Sequence, residues 1–226
     1  MRRRRADVTA QALRTPRAAA VAGIVFSILF ATATVLVQGA IPLDSDDPSS
    51  WMTDSSKRAA VSFGLQLLPF AGIAFLWFIG VLRDRIGPGE DRFFATVFLG
   101  SGLVFVAMFF AAGAVAAGLI EVAGSTADGD GVGTVWPAAR EIGHTLMTVY
   151  GLRMAAVFTI SATTLASRLR VVPRWLVLLG YATAIVMLIG AGFVPWLELV
   201  FPAWVFVISV HILLVEFRRD RQQLPT

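Results

Sequence analysis

The chain contains no cysteine. Disulfides, thiolate nucleophiles and cysteine-ligated metals are thereby excluded, and redox compartment cannot be read. Charge is scarce as well. Asp, Glu, Lys and Arg make up 15% of the residues, where a soluble domain carries about 25%. Lys57 is the only lysine among 19 basic residues, a bias that fits a GC-rich bacterial genome. No G-x-S-x-G, H-E-x-x-H or P-loop pattern occurs, so there is no nucleophile elbow, zinc-protease helix or nucleotide cradle.

What fills the space is apolar: 57% of the residues are hydrophobic, and they fall in long charge-poor blocks. Each block is about long enough to cross ~30 Å of hydrocarbon at 1.5 Å per residue. None shows the ten-residue alternation of a membrane barrel. The expected fold is all-α: a polytopic bundle of six transmembrane helices at about 18–41, 59–82, 93–120, 140–167, 175–195 and 198–217. A basic segment, 1–17, precedes this domain (18–217), and a basic tail, 218–226, follows it. The opening "MRRRR" resembles the positive region of a signal peptide. The apolar run after it is about twice the usual length, however, and Gln38 spoils a cleavage site, so a retained first helix is expected.

Orientation follows from the arginines. All basic residues except Lys57, Arg58, Arg140 and Arg153 fall in the N-terminal segment, the second–third and fourth–fifth connections, or the tail. The other connections carry Asp44, Asp46, Asp47, Asp54, Glu121, Asp128, Asp130 and Glu141. The positive-inside rule then places both termini in the cytoplasm of a bacterial inner membrane. Trp51, Trp136, Trp196 and Trp204 near the outer ends, with Trp77 and Trp175 near the inner ones, fit aromatic belts.

Lipid offers no hydrophobic reward for helix association, so small residues that allow close approach matter. Ala19, Gly23, Ser27, Ala31 and Gly39 form such a stripe on the first helix. It serves either a compact monomeric bundle or a homo-oligomer. Pro69 lies mid-helix and predicts a kink. The turns "GPG" at Gly87–Gly89 and "VPW" at Val194–Trp196 predict antiparallel neighbours.

Function should show in polar groups at membrane depth, where a charge costs at least ~2.5–3.5 kcal/mol. Arg153 is near the centre of the fourth helix. Its side chain leans toward the helix N-terminus, at the level of Gln66 on the second helix, with Tyr150 one turn away. These three form the candidate intramembrane binding site. They act either as a staple between the second and fourth helices or as an anion contact in a cavity. Secondary candidates are His144 with Glu141 at the outer interface, and His211 deeper in the last helix. His144 and Arg153, nine residues apart, fall on opposite faces of a regular α-helix. The two histidines differ in depth by about 10–15 Å of helical rise, which excludes a bis-histidine haem. No metal site and no cofactor is expected. "DGDG" at Asp128–Gly131 reads as an acidic loop rather than a calcium site.

The stretch "GVLRDRIG" at Gly80–Gly87 resembles the start of the loop motif of major facilitator transporters, G-x-x-x-D-R-x-G. The resemblance implies a conformational gate at Asp84 and Arg85. It covers eight residues. It departs afterwards, where "PGEDR" replaces the family's basic pair, and the family has twelve spans.

The leading expectation is therefore a multi-pass inner-membrane protein without chemistry of its own, accessory or scaffolding. The alternative is a small transporter or channel for an anion or amphiphile built on Arg153. A lipid-active enzyme at His144 and Glu141 is third. Expected partners are membrane lipids, anionic head groups at the cytoplasmic face, and a second copy or another membrane protein. The basic N-terminus reads as orientation chemistry, not nucleic-acid binding.

Overall fold

The structure is a computed structural model that describes residues 2–41, 54–86, 92–125, 130–169 and 172–223. The long helices are α1 (Arg2–Ala40), α2 (Ser55–Ile86) and α3 (Arg92–Ser125). The fourth is compound: α4 (Asp130–His144), a π-helix (Thr145–Gly151) and α5 (Leu152–Arg168) run on without a break. Then come α6 (Arg174–Gly190), a 3₁₀ turn (Leu197–Leu199) and α7 (Val200–Gln223). Among the described residues the secondary structure is all helical.

Five stretches are long and apolar enough to cross a membrane: Arg17–Ala40, Ser55–Arg83, Phe93–Glu121, Val135–Arg168 and Leu197–Arg218. α6 is apolar too, but at 17 residues it is shorter, about 25 Å by helical rise. The expected helix at 175–195 ends early because the chain turns back at its far end. Gly192 (φ 85°) and Trp196 (φ 63°) both adopt left-handed backbone there. The expected uniform helix at 140–167 starts earlier and contains the π segment. α1 extends back through the basic segment. The turn at Gly87–Gly89, Trp51 and Asp128 lie outside the described residues.

Each helix packs on its sequence neighbours, and α7 closes back on α1, so the elements form a ring. Arg17 lies over the Phe217 ring at 5.3 Å, and Arg168 over Phe94 at 4.4 Å. These contacts mark one end of the bundle, called proximal because α1 begins and α7 finishes there. The opposite, distal end holds a small cluster of Ala40, Val61, Leu119 and Trp136.

The axis of the ring is filled with phenylalanine. Phe26, Phe30, Phe75, Phe78, Phe98, Phe105, Phe109, Phe158 and Phe201 are all fully buried. Phe75 is central, with ring centroids at 4.6 Å from Phe26, 5.1 Å from Phe158, 5.4 Å from Phe105 and 5.6 Å from Phe201. Tilted and edge-on rings add about 0.5–1.5 kcal/mol per pair beyond area burial. The outer faces are apolar as well: Phe70, Trp77, Leu178 and Ile189 are exposed. A chain in water rarely shows so continuous an apolar surface.

Small residues bring the helices together. A Cβ on Gly23 would collide with Ser209 Oγ of α7, and one on Gly180 with Thr163 Oγ1 of α5. Ala19, Gly23 and Ser27 are thus buried inside the chain's own bundle, while Gly39 has open space beside it. Three buried hydroxyls are met locally: Ser27, Thr159 and Ser161 donate to the carbonyls of Gly23, Ala155 and Val157. α2 runs through an exposed Pro69 as a single helix. Its start is capped by Asp54, which accepts from Ser56 Oγ (2.6 Å) and Ser56 N (2.8 Å). These bonds from Ser56 hold the carboxyl below the usual aspartate range.

Phe75→Ala should destabilise the bundle by about 3–5 kcal/mol, the range for emptying a packed aromatic site. Phe70→Ala, on the same helix but facing outward, should change stability by under about 0.5 kcal/mol. Thermal unfolding of both variants in one detergent checks the contrast.

Candidate functional site

The distal half of the bundle is less tightly filled than the axis. α1, α2, α3 and the fourth helix leave a cleft of about 160 Å³ between them. Its walls are apolar over most of their length: Phe30, Ala33 and Val37 from α1, Leu65 and Leu68 from α2, Ala112, Ala116 and Leu119 from α3. Alanines and Gly113 leave room that leucines would occupy. Gly143 of α4 lies beside Val115 and the Ala112 carbonyl.

Toward the distal end the lining turns polar. Gln38, Arg140, His144 and Thr148 line both this cleft and a second cavity of about 250 Å³. Glu141, Glu198 and the turn Gly192–Trp196 complete the second cavity. The two spaces thus lie side by side across four shared side chains, one lined almost wholly by apolar groups and the other by polar and apolar groups alike.

Several local features set those side chains. In the π-helix the Leu152 N–H donates to the Met147 carbonyl, five residues back. A π segment shifts the register of everything after it, and such segments recur at functional sites. Here it follows His144 directly and carries Met147 and Thr148 into the cleft wall. Thr148 Oγ1 donates to the His144 carbonyl at 2.8 Å and lies 3.4 Å from His144 Nδ1. Glu141 accepts from Thr145 Oγ1 at 3.4 Å.

Glu198 is placed by the turn before α7. Leu197 anchors in the phenylalanine core, and Trp196 before it takes the left-handed conformation. For a bulky side chain that conformation costs about 1–3 kcal/mol, and it concentrates at functional sites. Glu198 is only 3% exposed, and its Oε2 has no hydrogen-bond partner among the described residues. Gln38 Oε1 is likewise buried and unmet. Each buried acceptor left open costs about 1–3 kcal/mol.

The residues singled out from sequence are dispersed. Arg153 is half-buried, and its Nη1 donates to the Val149 carbonyl of its own helix at 3.3 Å. Gln66 is exposed on α2. The structure does not bring these two together: Gln66 faces outward, and Arg153 bonds within its own helix. Tyr150 is exposed. His144 and Glu141 do belong to the distal cavity, and Arg153 does not line it. His211 faces Trp175 edge-on at 6.2 Å, near the start of α6 and so far from His144. Asp84 and Arg85 lie on α2, and their side chains are outside the described set. Sequence reasoning passed over Gln38, Arg140, Thr148 and Glu198. Their only common signal is a polar side chain toward the distal end of α1 or of the fourth helix, or in the turn before α7.

Chemically the site offers an arginine, an imidazole, two carboxylates and an amide around one cavity. Among the described residues no three metal-ligating side chains converge. The Thr148 hydroxyl already donates to a backbone carbonyl, so it is not held as a nucleophile for His144.

No family model matches the chain, and no curated protein or solved structure matches it. The eight-residue resemblance at Gly80–Gly87 therefore stands without a wider match.

Arg153→Met removes one long hydrogen bond, made within its own helix. The expected loss of stability is under about 1.5 kcal/mol. A larger drop in melting temperature in detergent would show that Arg153 has a partner beyond Val149.

Proposed function

We propose that the chain is a six-span protein of a bacterial cytoplasmic membrane, with both termini inside, that binds an amphiphile in its distal cleft without transforming it. The observation that carries this reading is an apolar cleft lying beside a more polar cavity across Gln38, Arg140, His144 and Thr148. An acyl or similar chain fits the apolar half, and a head group fits the polar half. This is how small-molecule sites are usually composed, mostly apolar with a few placed polar groups. An accessory protein that holds a lipid or lipid-like molecule for a partner is the most economical form of it.

The six-span reading is supported by α6, which lies in the same ring against α5 and α7 despite its length. The inside placement of the termini rests on the arginines at the proximal end. A pathway along the bundle axis finds less support, since that axis is filled by phenylalanine rings. Arg153 plays no part in the proposed site.

Two experiments test the proposal. Native mass spectrometry of the protein released from a mild detergent should show a retained lipid-sized adduct. Ala116→Phe, which places a ring in the cleft, should remove the adduct from a protein that still unfolds cooperatively. A wild-type protein without any adduct would sink the reading. Topology is separable and convenient, because the chain has no cysteine of its own. A single cysteine at exposed Ala138 should react with an impermeant maleimide in intact spheroplasts, and one at exposed Leu169 only after permeabilisation.

A further inference from the structure

We propose that the head group held in the distal cavity is zwitterionic, an anion joined to a protonated primary amine, as in a phosphoethanolamine lipid. This inference deepens the amphiphile reading above and rests on it. The cavity carries both signs, Arg140 and Glu141 on α4 and Glu198 on the turn before α7. Arg140, permanently charged, comes from α4 with His144 beside it, where the cavity joins the cleft. Glu198 comes from the 3₁₀ turn before α7, and Gln38 from the end of α1. Arg140 makes no ion pair with Glu141 or Glu198 among the described residues. The two signs face one space without neutralising each other.

Each simpler head group leaves something unmet. A purely anionic one suits Arg140 but brings negative charge to Glu198 and Glu141. A purely cationic one suits the carboxylates but meets Arg140. A neutral one leaves Glu198 Oε2 with only weak donors in a site where a charge-assisted bond is worth about twice a neutral one. A zwitterion answers both signs. The amine must also carry N–H groups, because the two open atoms, Glu198 Oε2 and Gln38 Oε1, are acceptors. A quaternary ammonium has no N–H to give them. The anion is then placed at Arg140, on the boundary with the cleft, and the attached chains run down between α1, α2 and α3. A cavity of about 250 Å³ exceeds many times the space one water needs, so a head group of this kind has room.

The test uses the full chain in an uncharged maltoside detergent. Four dioctanoyl probes are titrated, carrying phosphoethanolamine, phosphocholine, phosphoglycerol or a bare glycerol hydroxyl. Tryptophan fluorescence reports binding, since Trp196 lines the cavity. The phosphoethanolamine probe should bind at least about tenfold more tightly than the other three. Glu198→Gln should weaken that probe about ten- to a hundredfold and leave the phosphoglycerol probe unchanged or tighter. Arg140→Gln should weaken both phosphoethanolamine and phosphoglycerol probes. If Glu198→Gln is not monodisperse, Gln38→Met gives the same discrimination, weakening the amine-bearing probe alone. Equal binding of all four probes would overturn the zwitterion inference and leave the amphiphile reading intact. Preference for phosphoglycerol would overturn it as well. No binding by any probe would remove both.

Discussion

The packing of phenylalanine rings along the bundle axis is the interaction on which the rest of the structure depends. In lipid, burying a side chain against protein gains nothing from the hydrophobic effect, because the hydrocarbon outside is equally apolar. Cohesion must come from contact density. Rings supply it, since each is large, stiff and able to meet several others edge-on. Phe75 does so with Phe26, Phe105, Phe158 and Phe201, which belong to α1, α3, α5 and α7. One residue of α2 thereby ties together most of the ring. Gly23 opposite Ser209 and Gly180 opposite Thr163 let the backbones close around this core. With the axis sealed, polar chemistry is confined to the margins.

The distal margin is where irregular backbone gathers. α6 stops at Gly190, the chain doubles back through Gly192 and Trp196, and a 3₁₀ turn leads into α7. At the same end the fourth helix passes through its π segment. Irregular backbone at membrane depth is tolerated where it lines a cavity or is buried in protein. Both irregularities here border one cavity, and each delivers polar side chains to it: His144 and Thr148 from one side, Glu198 from the other. Leu197, buried in the core beside Glu198, links that polar group to the phenylalanine packing.

Much of the architecture could be read from the apolar blocks alone, because a helix that crosses hydrocarbon has to be long, apolar and internally hydrogen-bonded. The boundaries that failed are those set by tertiary context. Nothing in "LIGAGFVPW" requires α6 to stop at Gly190, and a tryptophan is a poor advertisement for left-handed backbone. Pairing Arg153 with Gln66 rested on matched depth, which sequence yields, but it also needed the two side chains to face each other, which sequence does not. Gln66 faces outward, and the pair is parted. Gln38, Arg140 and Glu198 are far apart in the chain and share no motif. Only the alternation of helix direction brings them to one end. Glu198 looks from sequence like an ordinary edge residue, and its burial follows from the turn at Trp196.

Arg153 meets the backbone of its own helix and does not line the cavity. Where i→i−5 pairing gives way to i→i−4 pairing after Leu152, the carbonyl passed over is that of Thr148, next to Val149. In hydrocarbon an unmet carbonyl is costly. The Arg153 side chain leans back toward its helix N-terminus, as helical side chains do, and its Nη1 reaches the Val149 carbonyl inside the π segment. It thus supplies a donor where the helix is irregular. The π segment in turn sets the register between His144 and α5. Arg153 bonds within the helix that carries the cavity's wall, about one turn away from the side chains that meet the cavity.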